Sequence, residues 1–162
     1  MMIIRHVEKL DLDQLVAIEN MCFTPIEAAT REAFEKRIEK IADSFFVAQE
    51  DGALIGLVNG PVVHTEFITD ELFADIQENP ALGGHQTILG LAVAPSAQKR
   101  GIAKRLLQKL EEQATKHQRE TDTLTCLENL VSFYENLGYV NKGLSSSKHG
   151  GEVWMNMSKS LK

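Results

Sequence analysis

The stretch "LAVAPSAQKRGIAKRLLQKLEEQA", Leu91 to Ala114, changes character twice. An apolar run stops at Pro95, a polar and basic turn follows, and an amphipathic helix opens at Gly101. Ile102, Ala103, Leu106, Leu107, Leu110 and Ala114 share one helical face, and Lys104, Arg105, Lys109, Glu111 and Glu112 share the other. Packing on a sheet explains that face. It does not explain the entrance. The first N–H groups of a helix have no internal partners and sit at the positive end of its dipole, so they suit phosphate oxygens. Gly101 lets an anion reach the backbone without meeting a Cβ, and small Ala103 keeps the next turn open. The plainer reading is a strand-to-helix turn with solvated cations. The spacing gives neither the Gly-Lys-Ser/Thr of a Walker loop nor the Gly-x-Gly-x-x-Gly of a dinucleotide fold.

Outward from that stretch the chain alternates periods of two and of about 3.6. "MIIRHV" reads as a strand. "DLDQLVAIENMCF" spaces Leu12, Leu15, Val16, Ile18 and Met21 as a helix with Asp11 as N-cap, and "TREAFEKRIEKIA" is capped by Thr30 with a stripe of Phe34, Ile38 and Ile41. "SFFVAQEDGALIGLVNGPVVH" reads as a hairpin turning at Asp51-Gly52, apolar enough to be covered on both faces. Thr65 to Gly84 is a long acidic connection, with a short helix expected over Asp70–Gln77 and a stop at Pro80. Then come strand "TILGLAVAP", a helix from Arg100 to about His117, strand "DTLTCL", a helix over Asn129–Leu137 with Leu130, Phe133 and Leu137 as its buried stripe, and strands around "GYVNKG" and "GEVWMNMSK". The order β-α-α-β-β-(loop)-β-α-β-α-β-β predicts one α/β domain over residues 1–162 with a mixed sheet.

The 162 residues suit one core. Seventeen basic against twenty-three acidic residues, net −6, argue against nucleic acid as a partner and lean toward a cationic small substrate. The start lacks the apolar core of a signal peptide and no run suits a membrane span, so a cytoplasmic protein with no membrane partner is expected. Two cysteines make no disulfide framework, and five scattered histidines have no ligand spacing, so no metal is expected. The oligomeric state is left open between monomer and homodimer.

Gln98-Lys99-Arg100-Gly101-Ile102-Ala103 resembles the Gln/Arg-x-x-Gly-x-Gly/Ala pyrophosphate loop of the GNAT superfamily of acyl-CoA-dependent N-acyltransferases. The element order matches that fold along nearly the whole chain. "GLAVAPSAQKRGIAKRLL" followed by "CLENLVSFYENLGY" is similar to the arylalkylamine (serotonin) N-acetyltransferase group, as are "IENMCFTP" and the acidic loop before "GGHQ". The commoner superfamily pattern has an asparagine seven residues before the tyrosine of its second motif. Here Asn129 precedes Tyr134 by five, and the Leu-Val-x-Phe-Tyr run agrees with the arylalkylamine group instead.

The resemblance implies a GNAT fold, a central mixed and mostly antiparallel sheet flanked by helices. It implies acetyl-CoA as cosubstrate and a small-molecule primary amine as acceptor, joined by direct attack in a ternary complex. Leu91, Ala92, Val93 and the loop Gln98, Lys99, Arg100, Gly101, Ile102, Ala103 and Lys104 would hold coenzyme A, with the Leu91 N–H facing the acyl carbonyl and Val93 the pantetheine amides. Gly90 would permit the bulge this needs. Tyr134 matches the tyrosine that protonates the departing thiolate, and a phenol of ordinary pKa near ~10 is protonated at neutral pH. Phe23 and Pro25 fall in the loop that receives the aromatic amine. Glu27, Glu66, Asp70 and Glu71 are carboxylates able to attract an ammonium. The group's two histidines correspond to Thr87 and Leu89, neither a base, which leaves a water chain ending on His85, Glu66 or Glu128, or an amine that arrives partly neutral. Cys126 reads as a buried strand cysteine. A peptide or protein N-terminal acetyltransferase is the enzymatic alternative, marked by an open cleft rather than a closed aromatic pocket. A non-catalytic acyl-CoA-binding sensor is the other.

Overall fold

The computed structural model describes residues 1–73 and 75–162. Strand β1 (Met2–His6) leads into helices α1 (Leu12–Cys22) and α2 (Arg31–Ile41), then strands β2 (Phe45–Glu50), β3 (Ala53–Asn59) and the short β4 (Val62–Val63). After the long connection come β5 (His85–Ile88), β6 (Gly90–Val93), α3 (Ile102–Lys116), β7 (Thr121–Leu127), α4 (Val131–Glu135), β8 (Val140–Leu144) and β9 (Trp154–Ser160). The Thr30 hydroxyl accepts the Ala33 N–H at 3.1 Å, as its cap position predicts. Asp11 stands at the N-cap of α1 but spends its carboxylate on Arg5 and the Glu8 N–H.

Four expectations change. The helix foreseen over Asp70–Gln77 is a single 3-10 turn, Asp70–Phe73; Ala74 lies outside the described residues, and Asp75–Gln77 are not helical. "TILGLAVAP" is not one strand but two, broken at Leu89. The fourth helix begins as a 3-10 turn, Glu128–Leu130, and Leu130 and Phe133 are exposed, not buried. Met21 also faces outward.

One sheet runs β1-β2-β3-β6, antiparallel throughout, and the other runs β4-β5-β7-β9-β8, with β5 parallel to β7. Alternation along β2 supplies both faces of the first sheet: Phe46 and Ala48 pack with α3, while Phe45 and Val47 pack with Leu15 and Ile18 of α1 and Phe34 and Ile38 of α2. Each of these large side chains gains about 1.5–3 kcal/mol on leaving water. The α3 stripe is buried at Ile102, Leu106, Leu107, Leu110 and Ala114.

The second sheet holds an acid that the packing does not satisfy. Asp122 on β7 is fully buried with neither carboxylate oxygen hydrogen-bonded among the described residues. Burial, with the Glu111 carboxylate adding and Lys159 opposing, pushes its pKa up to about 8. A raised folded-state value means stability fully present below the unfolded value and lost as pH rises through about 8. The wild-type melting temperature should therefore fall between pH 5 and pH 8. Asp122→Asn should flatten that fall and gain at least about 3 °C at pH 8, as a change of about 1 kcal/mol gives in a chain this size. Parallel melting curves for the two proteins across that range would contradict it.

Candidate active site

The two sheets part at Leu89. Upstream, β5 pairs with β7 as far as Ile88 and Leu124; downstream, among the described residues, β6 pairs only with β3, while β7 continues alone on that side through Thr125–Leu127. Gly90 sits at the fork, where an added Cβ would lie 3.0 Å from Asn59 Nδ2 and would press that amide aside by a few tenths of an ångström. The Ala94 N–H bonds the Ile55 carbonyl at 2.8 Å, which sets the alternation of the ladder. Ala92 therefore faces β3, and Leu91 and Val93 turn their backbone groups to the open edge. The Val93 carbonyl accepts from Cys22 Sγ at 3.2 Å and Gln98 Nε2 at 3.0 Å there.

A cavity of about 420 Å³ fills the fork, lined by Leu91, Ala92, Val93, the Gln98–Lys104 loop except Arg100, and Leu130, Phe133 and Tyr134. Gly101 caps α3 in the left-handed region, φ 77°, and, chain neighbours aside, nothing among the described residues lies within 4 Å of where a Cβ would stand. An anion can thus reach the free N–H groups at the start of α3. The exposed Leu130 and Phe133 supply an apolar wall. These features fit a long thiol with a phosphate end, for which Gln98, Lys99 and Gly101–Ala103 stand at the α3 entrance and the β6 edge offers backbone groups to amides.

A second cavity, about 170 Å³, lies on the other side of Leu91, Leu130 and Tyr134, which line both. Its walls include Glu19 and Phe23 of α1 and its end, Glu27, Phe73, Cys126, Ser147, His149 and Trp154. Three connections roof it. Phe73 stacks on His149 with centroids 5.1 Å apart, Trp154 Nε1 donates to the His149 carbonyl at 2.8 Å, and His149 Nε2 lies 3.4 Å from the Glu27 carbonyl. Asp70 accepts from the Ser147 hydroxyl and the Lys148 N–H. A larger groove of about 850 Å³ follows the outer side of α3, but neither β6 nor Tyr134 reaches it.

Tyr134 thus stands in the wall between the cavities. Its ring is held edge-on by Phe133 at 5.0 Å and Tyr139 at 5.6 Å. Burial, with the Cys126 thiol adding to it, pushes the phenol well above its ordinary value, so it stays protonated.

The sequence profile of the acetyltransferase (GNAT) domain matches residues 13–161. The chain belongs to the GNAT acetyltransferase family. No curated protein matches the sequence at a significant level. Among solved structures, the loading GNATL domain of CurA from Lyngbya majuscula aligns with a TM-score of 0.83 at 14% identity, covering 99% of this chain and 98% of that one. The GphF GNAT-like decarboxylase in complex with isobutyryl-CoA gives 0.83 at 18% identity, covering 99% and 100%. The ribosomal-protein-S18-alanine N-acetyltransferase from Escherichia coli gives 0.75 at 18%, covering 100% and 95%. At such identities the likeness is one of fold, and the chain has the GNAT fold.

Within this GNAT domain most of the sequence candidates converge. Tyr134, Leu91, Ala92, Val93, Gln98, Lys99, Gly101, Ile102, Ala103 and Lys104 line the first cavity, and Phe23 lines the second. Arg100 points elsewhere: its guanidinium grips the Glu50 carboxylate in two bonds, 3.1 and 2.6 Å. Pro25 is exposed on the α1–α2 loop, outside the cavity lining. Thr87 is fully buried and donates to the Pro61 carbonyl at 2.6 Å, while Leu89 lines the second cavity. His85 is tied to the Thr121 hydroxyl at 2.9 Å and Glu120 at 3.2 Å, and the Glu66 carboxylate accepts from Ser158 at 2.6 Å. Neither these two nor Glu128 lines either cavity. Glu19, Phe73, Ser147, His149 and Trp154 were not foreseen.

Proposed function

We propose that the protein is an acetyl-CoA-dependent N-acetyltransferase that acetylates the primary amine of a small molecule, similar in this to the arylalkylamine group. The roof over the second cavity is the observation that carries the choice of acceptor. Phe73, His149 and Trp154 narrow the space they line with Phe23 to about 170 Å³, a size that suits an amine with a short apolar arm. Small-molecule clefts commonly exceed ~300 Å³, and a polypeptide end needs a groove open along its length.

The residues divide the work by position. The Leu91 N–H, free on the β6 edge, is placed to bond the acyl oxygen as it gains charge; the α3 entrance holds phosphate; Tyr134 gives its proton to the departing sulfur. Bound acetyl-CoA supplies an activated acyl carbon. With the two cavities meeting at Leu91 and Tyr134, the amine reaches that carbon directly and no enzyme nucleophile is needed.

Thiol release measured across arylalkylamines, alkylamines and short peptides tests the reading. Small amines should be turned over at least about tenfold faster than peptides at equal concentration. Preference for peptides would transfer the assignment to N-terminal acetylation. Tight acetyl-CoA binding without thiol release from any acceptor would make the protein a sensor.

A further inference from the structure

One ionisable side chain in the second cavity has an oxygen left over. Glu19 lies on the inward arc of α1 with Leu15 and Ile18, is 5% exposed, and lines the cavity together with Leu91 and Tyr134. Its Oε2 accepts the Ala29 N–H at 2.8 Å, which fixes the carboxylate beneath the α1–α2 loop. Its Oε1 is enclosed and has no hydrogen-bond partner among the described residues. A buried carboxylate oxygen without a partner is costly to the fold, and an apolar side chain or a glutamine would pack there with less loss.

The groups facing it leave room for a cation. From α2, Arg37 is 2% exposed, donates from Nη1 to Asn59 Oδ1 at 3.1 Å, and favours ionised Glu19 through space. From its own helix, the Cys22 thiol is turned to the Val93 carbonyl. Across the cavity stand Glu27 and His149, and the rings of Phe23, Phe73 and Trp154 form its apolar walls.

We propose that Glu19 receives the cationic nitrogen of a primary ammonium acceptor and takes its first proton. The proton step rests on the transferase reading above; the cation site does not. Burial pushes the Glu19 carboxyl upward, against the pull of the Ala29 N–H and Arg37, the direction that makes a carboxylate a better proton acceptor. The ammonium loses one proton to Glu19, and the neutral nitrogen attacks the acyl carbon. The C–N bond forms, the C–S bond breaks, and Tyr134 protonates the sulfur. The nitrogen then gives up a second proton, which reaches the Tyr134 oxygen through solvent, and Glu19 releases its own proton to water. Ammonium and thioester become amide, thiol and one proton.

Two measurements test it. In the first, 2-phenylethylammonium and neutral 2-phenylethanol are titrated into the protein saturated with coenzyme A. Wild type should bind the ammonium at least tenfold more tightly, Glu19→Gln should erase that preference, and Glu19→Asp should keep part of it. Glutamine can still accept the Ala29 N–H, and unchanged coenzyme A affinity checks that the variant is folded. No preference in wild type, or an equal one in a folded Glu19→Gln, would overturn the site. In the second, the pH dependence of kcat/KM for the amine should lose its acidic limb in Glu19→Gln and fall about 10²-fold, with the KM for acetyl-CoA unmoved. An unchanged limb would overturn the proton role. Ammonium binding through Glu19 without thiol release would defeat the transferase reading and leave the cation site standing.

Discussion

Replacing Tyr134 with phenylalanine is expected to slow acyl transfer about 10²–10⁴-fold, the usual worth of a positioned general acid. The ring is 8% exposed and gripped by Phe133 and Tyr139, so its packing survives the loss of one hydroxyl. Acetyl-CoA affinity should barely change, because the phenol acts on a sulfur that gains charge only in the transition state. The pH profile adds a second mark. A phenol of ordinary pKa near ~10 would ionise and bring activity down in mild alkali. Burial holds Tyr134 well above that value, so wild-type activity should stay level through pH 10. Single-turnover rates, with chemistry limiting, make the comparison. A rate within threefold of wild type would reduce Tyr134 to a packing residue.

Gly101→Asp is expected to abolish acetyl-CoA binding. In wild type, ligand at a hundred times its Kd should stabilise the fold by about 2.7 kcal/mol, which in a chain of this size lifts the melting temperature by about 5–10 °C. The substitution places a carboxylate where phosphate would sit, at a site where, chain neighbours aside, nothing among the described residues lies within 4 Å of the new Cβ. Gly101→Asn is the control, since it meets the same left-handed backbone without charge, and both side chains tolerate that region. The asparagine variant should keep a measurable shift and the aspartate variant none. An undiminished shift in a folded Gly101→Asp would remove phosphate from the start of α3.

What could be read in the sequence was what local physics decides. Thr30 announced α2, Gly101 the start of α3, and Asp51-Gly52 the turn between β2 and β3, because caps and turns are settled within a few residues. Leu130 and Phe133 misled, since helical spacing reports an apolar arc and does not say whether protein or ligand covers it. The roof was out of reach: Phe73, on the β4–β5 connection, meets His149, on the β8–β9 connection beside Trp154, only once the chain has packed. Glu19 did leave a trace. It interrupts the inward arc of α1, four residues after Leu15, as a charge where the period calls for an apolar side chain.

The unpaired side of β6 carries a cost of its own. A strand with bare N–H and carbonyl groups invites another chain to pair with it, and proteins usually blunt such edges with lysine, proline or a covering loop. Here blunting would remove the groups that the site needs. What protects the protein is brevity and depth: β6 has only four residues, Gly90–Val93, flanked on one side by β3 and recessed below Leu130 and Phe133. On the proposed function, a bound cosubstrate would also act as a chaperone for that edge, covering between turnovers the backbone groups that another strand would seek.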